Sequence, residues 1–150
     1  MSYSTSFPQA ILALLYVTDK VQQGKLDYIP IQQISSELNI PPSTTGLIIR
    51  YLNRAGLVET REGAKGGIRQ ARPPETITLY DIFKAIEQER PLFQTALRPR
   101  VTGTRPTRAQ HAIVSALQSA EQAMHEELRQ TTLAELLREV RDEAPRETTS

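Results

Sequence analysis

Residues 61–74 read REGAKGGIRQARPP: three glycines and four cationic side chains in fourteen positions, closed by two prolines. Glycine lets the backbone adopt positive φ and approach another group closely, and Lys or Arg supplies charge for phosphate. The chemistry indicated is phosphate binding, of a nucleotide or of a nucleic-acid backbone. A P-loop places its Lys after the second glycine and then opens a helix. Here Lys65 precedes the Gly66–Gly67 pair and a strand-like run follows. No G-x-G-x-x-G and no parallel strand–helix–strand units flank the segment. The reading is a glycine-tipped hairpin whose Arg61, Lys65 and Arg69 face the backbone or minor groove of DNA. The plainer alternative is a hairpin with solvated cations.

A second cluster lies upstream. Ser43, Thr44 and Thr45 stand in a row after Pro41-Pro42, with Arg50 further along. At the start of the second helix of a helix–turn–helix, small hydroxylated residues can donate to phosphate or to either base edge, and Arg50 can grip phosphate. Ser43 or Thr44 can also serve as the cap of that helix.

The flanking elements must place these groups. Ser6 before Phe7-Pro8 reads as a capped helix start, with Ile11, Leu12, Leu14, Leu15 and Val17 on its apolar face and an end near Gly24. Pro30 opens a short helix with Ile31, Ile34 and Leu38 on one face, broken by Asn39-Ile40-Pro41-Pro42. Leu47, Ile48, Tyr51 and Leu52 register a third helix that a glycine C-cap ends at Ala55-Gly56. Leu57–Thr60 and Ile68–Ala71 read as two short strands. Thr78 with Asp81 predicts a capping box for a fourth helix, whose inner face is Leu79, Ile82, Phe83 and Ile86. A helix–turn–helix running into a glycine-tipped hairpin is a winged helix.

Residues 90–108 hold three prolines, one glycine and five arginines and read as a linker loop. Beyond it, Ile113, Leu117, Ala120 and Met124 step by 4, 3 and 4, a narrow seam suited to packing on another helix. Thr131-Thr132 interrupts, and Leu133–Val140 makes a last amphipathic segment. The expected organisation is residues 1–89 as winged helix-turn-helix domain, 90–108 as linker, 109–143 as dimerisation helix and terminal helix, and 144–150 as polar tail. The fold class is mainly α with a small β-hairpin wing and a long C-terminal dimerisation helix.

Composition narrows the function. The formal net charge of +1 hides a +4 balance over residues 42–72 and a −4 balance over 121–150, as for one polyanion-facing surface and one turned away from it. The chain has no Cys, which excludes disulfides, thiolate catalysis and Cys-ligated zinc or iron–sulfur clusters. Ile11–Val17 is too short to span a bilayer, so the expectation is a cytoplasmic protein with no membrane partner. His111 and His125, fourteen residues apart, could share a helix face, but each reads as an ordinary surface or interface histidine, and no metal site is expected. No catalytic constellation can be singled out.

The segment IQQISSELNIPPSTTGLIIRYLNRAGLVETREGAKGGIRQARPPETITLYDIFKAIE resembles the Rrf-two family of bacterial winged-helix transcription regulators. The marks are L-x-x-A-G-L-V (Leu52 to Val58), the wing G-x-x-G-G (Gly63 to Gly67), A-R-P-P (Ala71 to Pro74) and I-T-L-x-D-I (Ile77 to Ile82), and the likeness covers roughly residues 6–90. The resemblance implies a homodimer on double-stranded DNA, with recognition helices in adjacent major grooves and wings in flanking minor grooves. It matches Ser43, Thr44 and Thr45 to the start of the recognition helix, and Ser4 to a backbone contact near the N-terminus.

The departures are informative. Sensor members hold an iron–sulfur cluster on cysteines in the loop before the dimerisation helix; here that loop is arginine-rich and cysteine-free. His111 falls near where a further ligand can occur, yet one imidazole cannot hold a cluster. Gly46 stands where many relatives have a base-reading Glu, and Ile68 replaces the usual wing aromatic.

The expectation is a homodimeric, sequence-specific DNA-binding regulator, a repressor on a palindromic operator, pairing through the 109–130 helix. It needs no cofactor and is open to a small-molecule effector. The competing reading is a winged-helix protein-interaction module without DNA-binding activity.

Overall fold

The computed structural model of the chain describes residues 5–142. Six α-helices and one hairpin follow in the order α1 (Ser6–Gln22), α2 (Ile31–Leu38), α3 (Pro42–Arg54), β1 (Val58–Arg61), β2 (Gly67–Gln70), α4 (Leu79–Glu87), α5 (Thr104–Gln130) and α6 (Leu133–Asp142). A short 3-10 turn, Pro74–Thr76, joins β2 to α4. This is the mainly helical winged helix that the spacing predicts.

The core is mainly aliphatic, with Phe83 its one buried aromatic among the described residues. Leu14 and Val17 of α1, Ile34 of α2, Ile48 and Leu52 of α3, Ile68 of β2, Ile77, and Ile82 and Ile86 of α4 form one buried cluster. Each such side chain contributes roughly 1.5–3 kcal/mol on burial, enough to hold three short helices that could not persist alone. The β1–β2 pair is antiparallel, Val58 opposite Gln70 and Arg61 opposite Gly67. Ile29 adds a third rung, exchanging hydrogen bonds with Ile68 at 2.8 and 2.9 Å.

The α2–α3 turn is locked by side chains. Asn39 takes a left-handed conformation, φ 52°, which lets the chain leave α2 within one residue. Ser35 Oγ donates to the Ile40 carbonyl at 2.6 Å, and Thr45 Oγ1 donates to the Pro41 carbonyl at 3.1 Å. The predicted capping box on α4 is present: Asp81 N–H donates to Thr78 Oγ1 at 3.1 Å and Thr78 N–H to Asp81 Oδ2 at 3.0 Å.

Four boundaries differ from expectation. Thr5, not Ser6, occupies the cap position of α1, and no side chain caps that helix. Pro41 occupies the cap position of α3, so Ser43 and Thr44 lie inside its first turn and cap nothing. The linker is shorter than 90–108, because α5 already begins at Thr104. Pro106 stands in its first turn, where a missing N–H breaks no helical bond. The terminal segment is not an appendage of α5: Leu133 and Leu137 of α6 are buried, and Leu133 belongs to the winged-helix core. The backbone seals this return, with Leu79 N–H donating to the Thr131 carbonyl at 2.9 Å and Leu133 N–H to the Ile77 carbonyl at 2.8 Å. The expected tail 144–150 and Ser4 lie outside the described residues.

Candidate nucleic-acid interface

The helix α3 buries Thr45, Ile48, Ile49 and Leu52 against the core. With 3.6 residues per turn, the opposite face carries Ser43, Gly46, Leu47, Arg50 and Arg54; all are exposed except Leu47, which is half-buried. No side chain caps the N-terminus of this helix. Pro42 has no N–H, and the N–H groups of Ser43 and Thr44 have no intrahelical acceptor, so the positive end of the helix is left open to an anion.

The three predicted hydroxyl residues therefore part company. Ser43 is exposed and Thr44 half-buried, both at the open helix end. Thr45 is 1% exposed, with its hydroxyl spent on the turn carbonyls of Pro41 and Ile40. A residue one place on from Thr44 in a helix turns by about 100°, and that rotation carries Thr45 into the core. Its expected contact with DNA is corrected to a role inside the turn. Arg54, not singled out from the sequence, shares the Ser43–Arg50 stripe, and the spacing i+4 from Arg50 was the available signal.

On the hairpin, Arg61 and Lys65 are exposed and Arg69 is half-buried. Both arginines converge on one ring: Arg61 Cζ lies 5.5 Å and Arg69 Cζ 5.6 Å from the Tyr28 centroid. A guanidinium at this distance from an aromatic ring is attracted by the ring quadrupole, so Tyr28 restrains both side chains. Lys65 sits apart from them at the hairpin tip. Tyr28 was missed, since nothing local in the sequence links it to residues more than thirty positions on.

The glycines shape the hairpin through its own backbone. A Cβ on Gly67, φ 148°, would lie 2.1 Å from the Ile29 carbonyl oxygen, and one on Gly66 would lie 2.2 Å from that of Arg61. The close approach expected at this loop is thus, for these two, to neighbouring protein. Gly63, φ 99°, has nothing within 4 Å of a built Cβ and serves the turn.

The two histidines do not meet. His111 is exposed, whereas His125 packs between Tyr80 and Phe83, with ring centroids at 5.2 and 5.3 Å. Among the described residues no group of three or more His, Cys, Asp or Glu is placed to hold a metal ion. The stretch preceding and opening α5 offers Arg98, Arg100, Arg105 and Arg108 in place of thiolates, and a set of cations without cysteine does not fit a cysteine-ligated iron–sulfur cluster. No described helix is long and apolar enough to cross a membrane.

Comparison with known proteins agrees with this geometry. The sequence model of the family Rrf2, described as "Iron-dependent Transcriptional regulator", matches residues 3–139. YwgB of Bacillus subtilis (strain 168), which carries the name of an HTH-type transcriptional regulator, is 33% identical over 94 residues, 63% of this chain and 58% of YwgB. The HTH-type transcriptional regulator IscR of Cereibacter sphaeroides is 31% identical over 88 residues, 59% of this chain and 56% of that protein. The chain thus spans under two thirds of the length of both. The solved structure of T. potens IscR superposes with a TM-score of 0.70 at 20% identity, over 97% of this chain and 92% of the other, which establishes the shared fold. These relatives are named as regulators and not as enzymes. The match over nearly the whole chain places this protein in the Rrf2 family of transcriptional regulators.

Proposed function

We propose that the chain is a sequence-specific DNA-binding regulator that acts as a homodimeric repressor in the cytoplasm. The observation that carries this reading is the open N-terminus of α3, with the exposed Ser43–Arg50–Arg54 stripe behind it and the cationic hairpin alongside. The stripe suits the major groove: helix N–H groups and Ser43 meet phosphate or base edges, and Arg50 and Arg54 offer charge-assisted donors. Arg61, Lys65 and Arg69 then reach the adjacent backbone or minor groove.

Pairing of two copies through α5 is the second part of the proposal. None of the 27 residues of α5 is buried, and Ile113 in its N-terminal half is 47% exposed. A dimer would bring two α3 helices to a two-fold-related operator. A dimer of this kind would work without an iron–sulfur cluster, because the donor set does not fit one.

The test is fluorescence anisotropy with DNA from upstream of the protein's own gene, titrated with salt. Affinity should fall with log salt at a slope of about −0.9 per phosphate contact, and Arg50→Ala or Lys65→Ala should each reduce that slope by roughly one unit. Absence of any sequence-dependent binding would favour the interaction-module reading instead.

A further inference from the structure

A cavity of about 630 Å³ opens beside the recognition stripe, between the C-terminal end of α3, the base of the hairpin and α4. That volume is in the range of metabolite-sized pockets. Its floor is apolar: Leu57 and Ala85 are buried and Tyr51 is half-buried. Its lining carries three cations, Arg54, Lys84 and Arg72, against two acids, Asp81 and Glu89, with Gln88 beside them in sequence.

The charges are not equivalent. Arg72 is committed, donating to Asp81 Oδ2 at 2.8 Å and to the Thr76 carbonyl at 3.3 Å. Asp81 is committed in turn, to Arg72 and to the Thr78 N–H. Arg54 lies over the Tyr51 ring, 5.9 Å from its centroid, and neither Arg54 nor Lys84 makes an ion pair among the described residues. Two uncommitted cations over an apolar floor, with an aromatic face on one side, define the chemistry of an amphipathic anion. Gln88 and Glu89 both adopt left-handed backbone, φ 50° and 45°, which ends α4 at the cavity.

We propose that this cavity binds an organic acid with a flat apolar body, its carboxylate held by Arg54 and Lys84 and its body seated on Tyr51, Leu57 and Ala85. Arg54 belongs both to the cavity and to the exposed stripe of α3. An acid bound there draws Arg54 away from phosphate and adds negative charge beside the DNA-facing surface, so ligand and DNA compete. This coupling rests on the DNA-binding reading above; the site itself does not.

The test uses the full chain with 2-naphthoate as probe and 2-naphthylmethanol as its uncharged counterpart. By isothermal titration without DNA, wild type should bind the acid and not the alcohol. Lys84→Ala should bind the acid roughly tenfold more weakly, as expected for loss of one charge-assisted contact, and Lys84→Arg should restore binding. Lys84 is exposed on α4, outside the proposed DNA contacts, so both variants should hold DNA as wild type does. No binding of the acid to wild type, or equal binding to Lys84→Ala, overturns the site. In anisotropy, 2-naphthoate should release DNA from wild type at concentrations that leave the Lys84→Ala complex intact. Equal release from both overturns the coupling, as does no release from a wild type that binds the acid. DNA that never binds, with no acid present, is the failure of the DNA-binding reading and leaves the titration result standing.

Discussion

Thr45 and Pro41 are tied across the first turn of α3: the threonine hydroxyl donates to the proline carbonyl at 3.1 Å from a side chain that is 1% exposed. The same hydroxyl lies 3.4 Å from the Ile40 carbonyl, to which Ser35 also donates. These bonds fix the turn between α2 and α3, and hence how the exposed face of α3 is presented. Thr45→Ala should lower stability by about 1–2 kcal/mol, because buried carbonyls lose a donor, and Thr45→Ser should recover most of it. Thermal unfolding measures both. Ser43→Ala should do the opposite, weakening DNA binding in anisotropy with no change in unfolding temperature, since Ser43 is exposed.

Tyr28 couples the wing to the body of the domain. Both Arg61 and Arg69 lie over its ring, and removing the ring frees two long side chains, which the proposed DNA contact would then have to order. Tyr28→Leu keeps the apolar bulk and deletes the quadrupole. It should cost about 1 kcal/mol of DNA affinity, or roughly fivefold, with a small change in stability. The salt slope should stay as in wild type, because the charges remain. A reduced slope would mean that Tyr28 acts on the number of phosphate contacts and not on their geometry.

Gly67 is the tightest point of the hairpin. A methyl group there would stand 2.1 Å from the Ile29 carbonyl oxygen, beside backbone that is itself hydrogen-bonded to Ile68. Gly67→Ala should therefore destabilise by about 3 kcal/mol or more, combining a left-handed φ with a clash that only backbone movement relieves. Gly63→Ala meets open space and should cost only about 1 kcal/mol, for its positive φ alone. Denaturant unfolding of the pair separates the two causes.

What the sequence made legible was local. The Thr78–Asp81 capping box and the glycine ending of α3 depend on residues within a few positions of one another, and each is present, while the two expected strands appear one residue off their expected bounds, at Val58–Arg61 and Gly67–Gln70. Contacts between distant segments were not legible. Leu133 and Leu137 show an apolar face, but nothing in their spacing says that it closes on α1 and on Ile77 after the 3-10 turn instead of continuing α5. Thr45 failed for a subtler reason: three consecutive hydroxyl residues suggest one shared task, while helical rotation separates their directions by about 100° each. Pro106 misled the start of α5 because its composition suggests a loop, although the first helical turn tolerates it.

The exposed N-terminal half of α5 bears on how two copies would meet. Its C-terminal part is clamped to its own domain, where His125 packs on Phe83, and Arg129 lies 4.0 Å above the Tyr80 ring. The N-terminal part has no such partner among the described residues, and Ile113 is 47% exposed there while the nearby Leu97 is 42% and Val101 67% exposed. Exposed apolar side chains on this half of α5 and on the segment before it gain by burial against a second copy, at roughly 25 cal/mol per Å² removed from water. Ile113→Asp places a charge in that seam without touching the α4 contact. It should shift the protein to a monomer in sedimentation velocity, with an unfolding temperature near that of wild type measured at low concentration. DNA binding should fall sharply on a two-fold site and little on an isolated half-site, since each monomer keeps its α3 and wing but loses the gain from engaging both half-sites together. A variant that remains a dimer would move the interface away from Ile113 to another part of the surface.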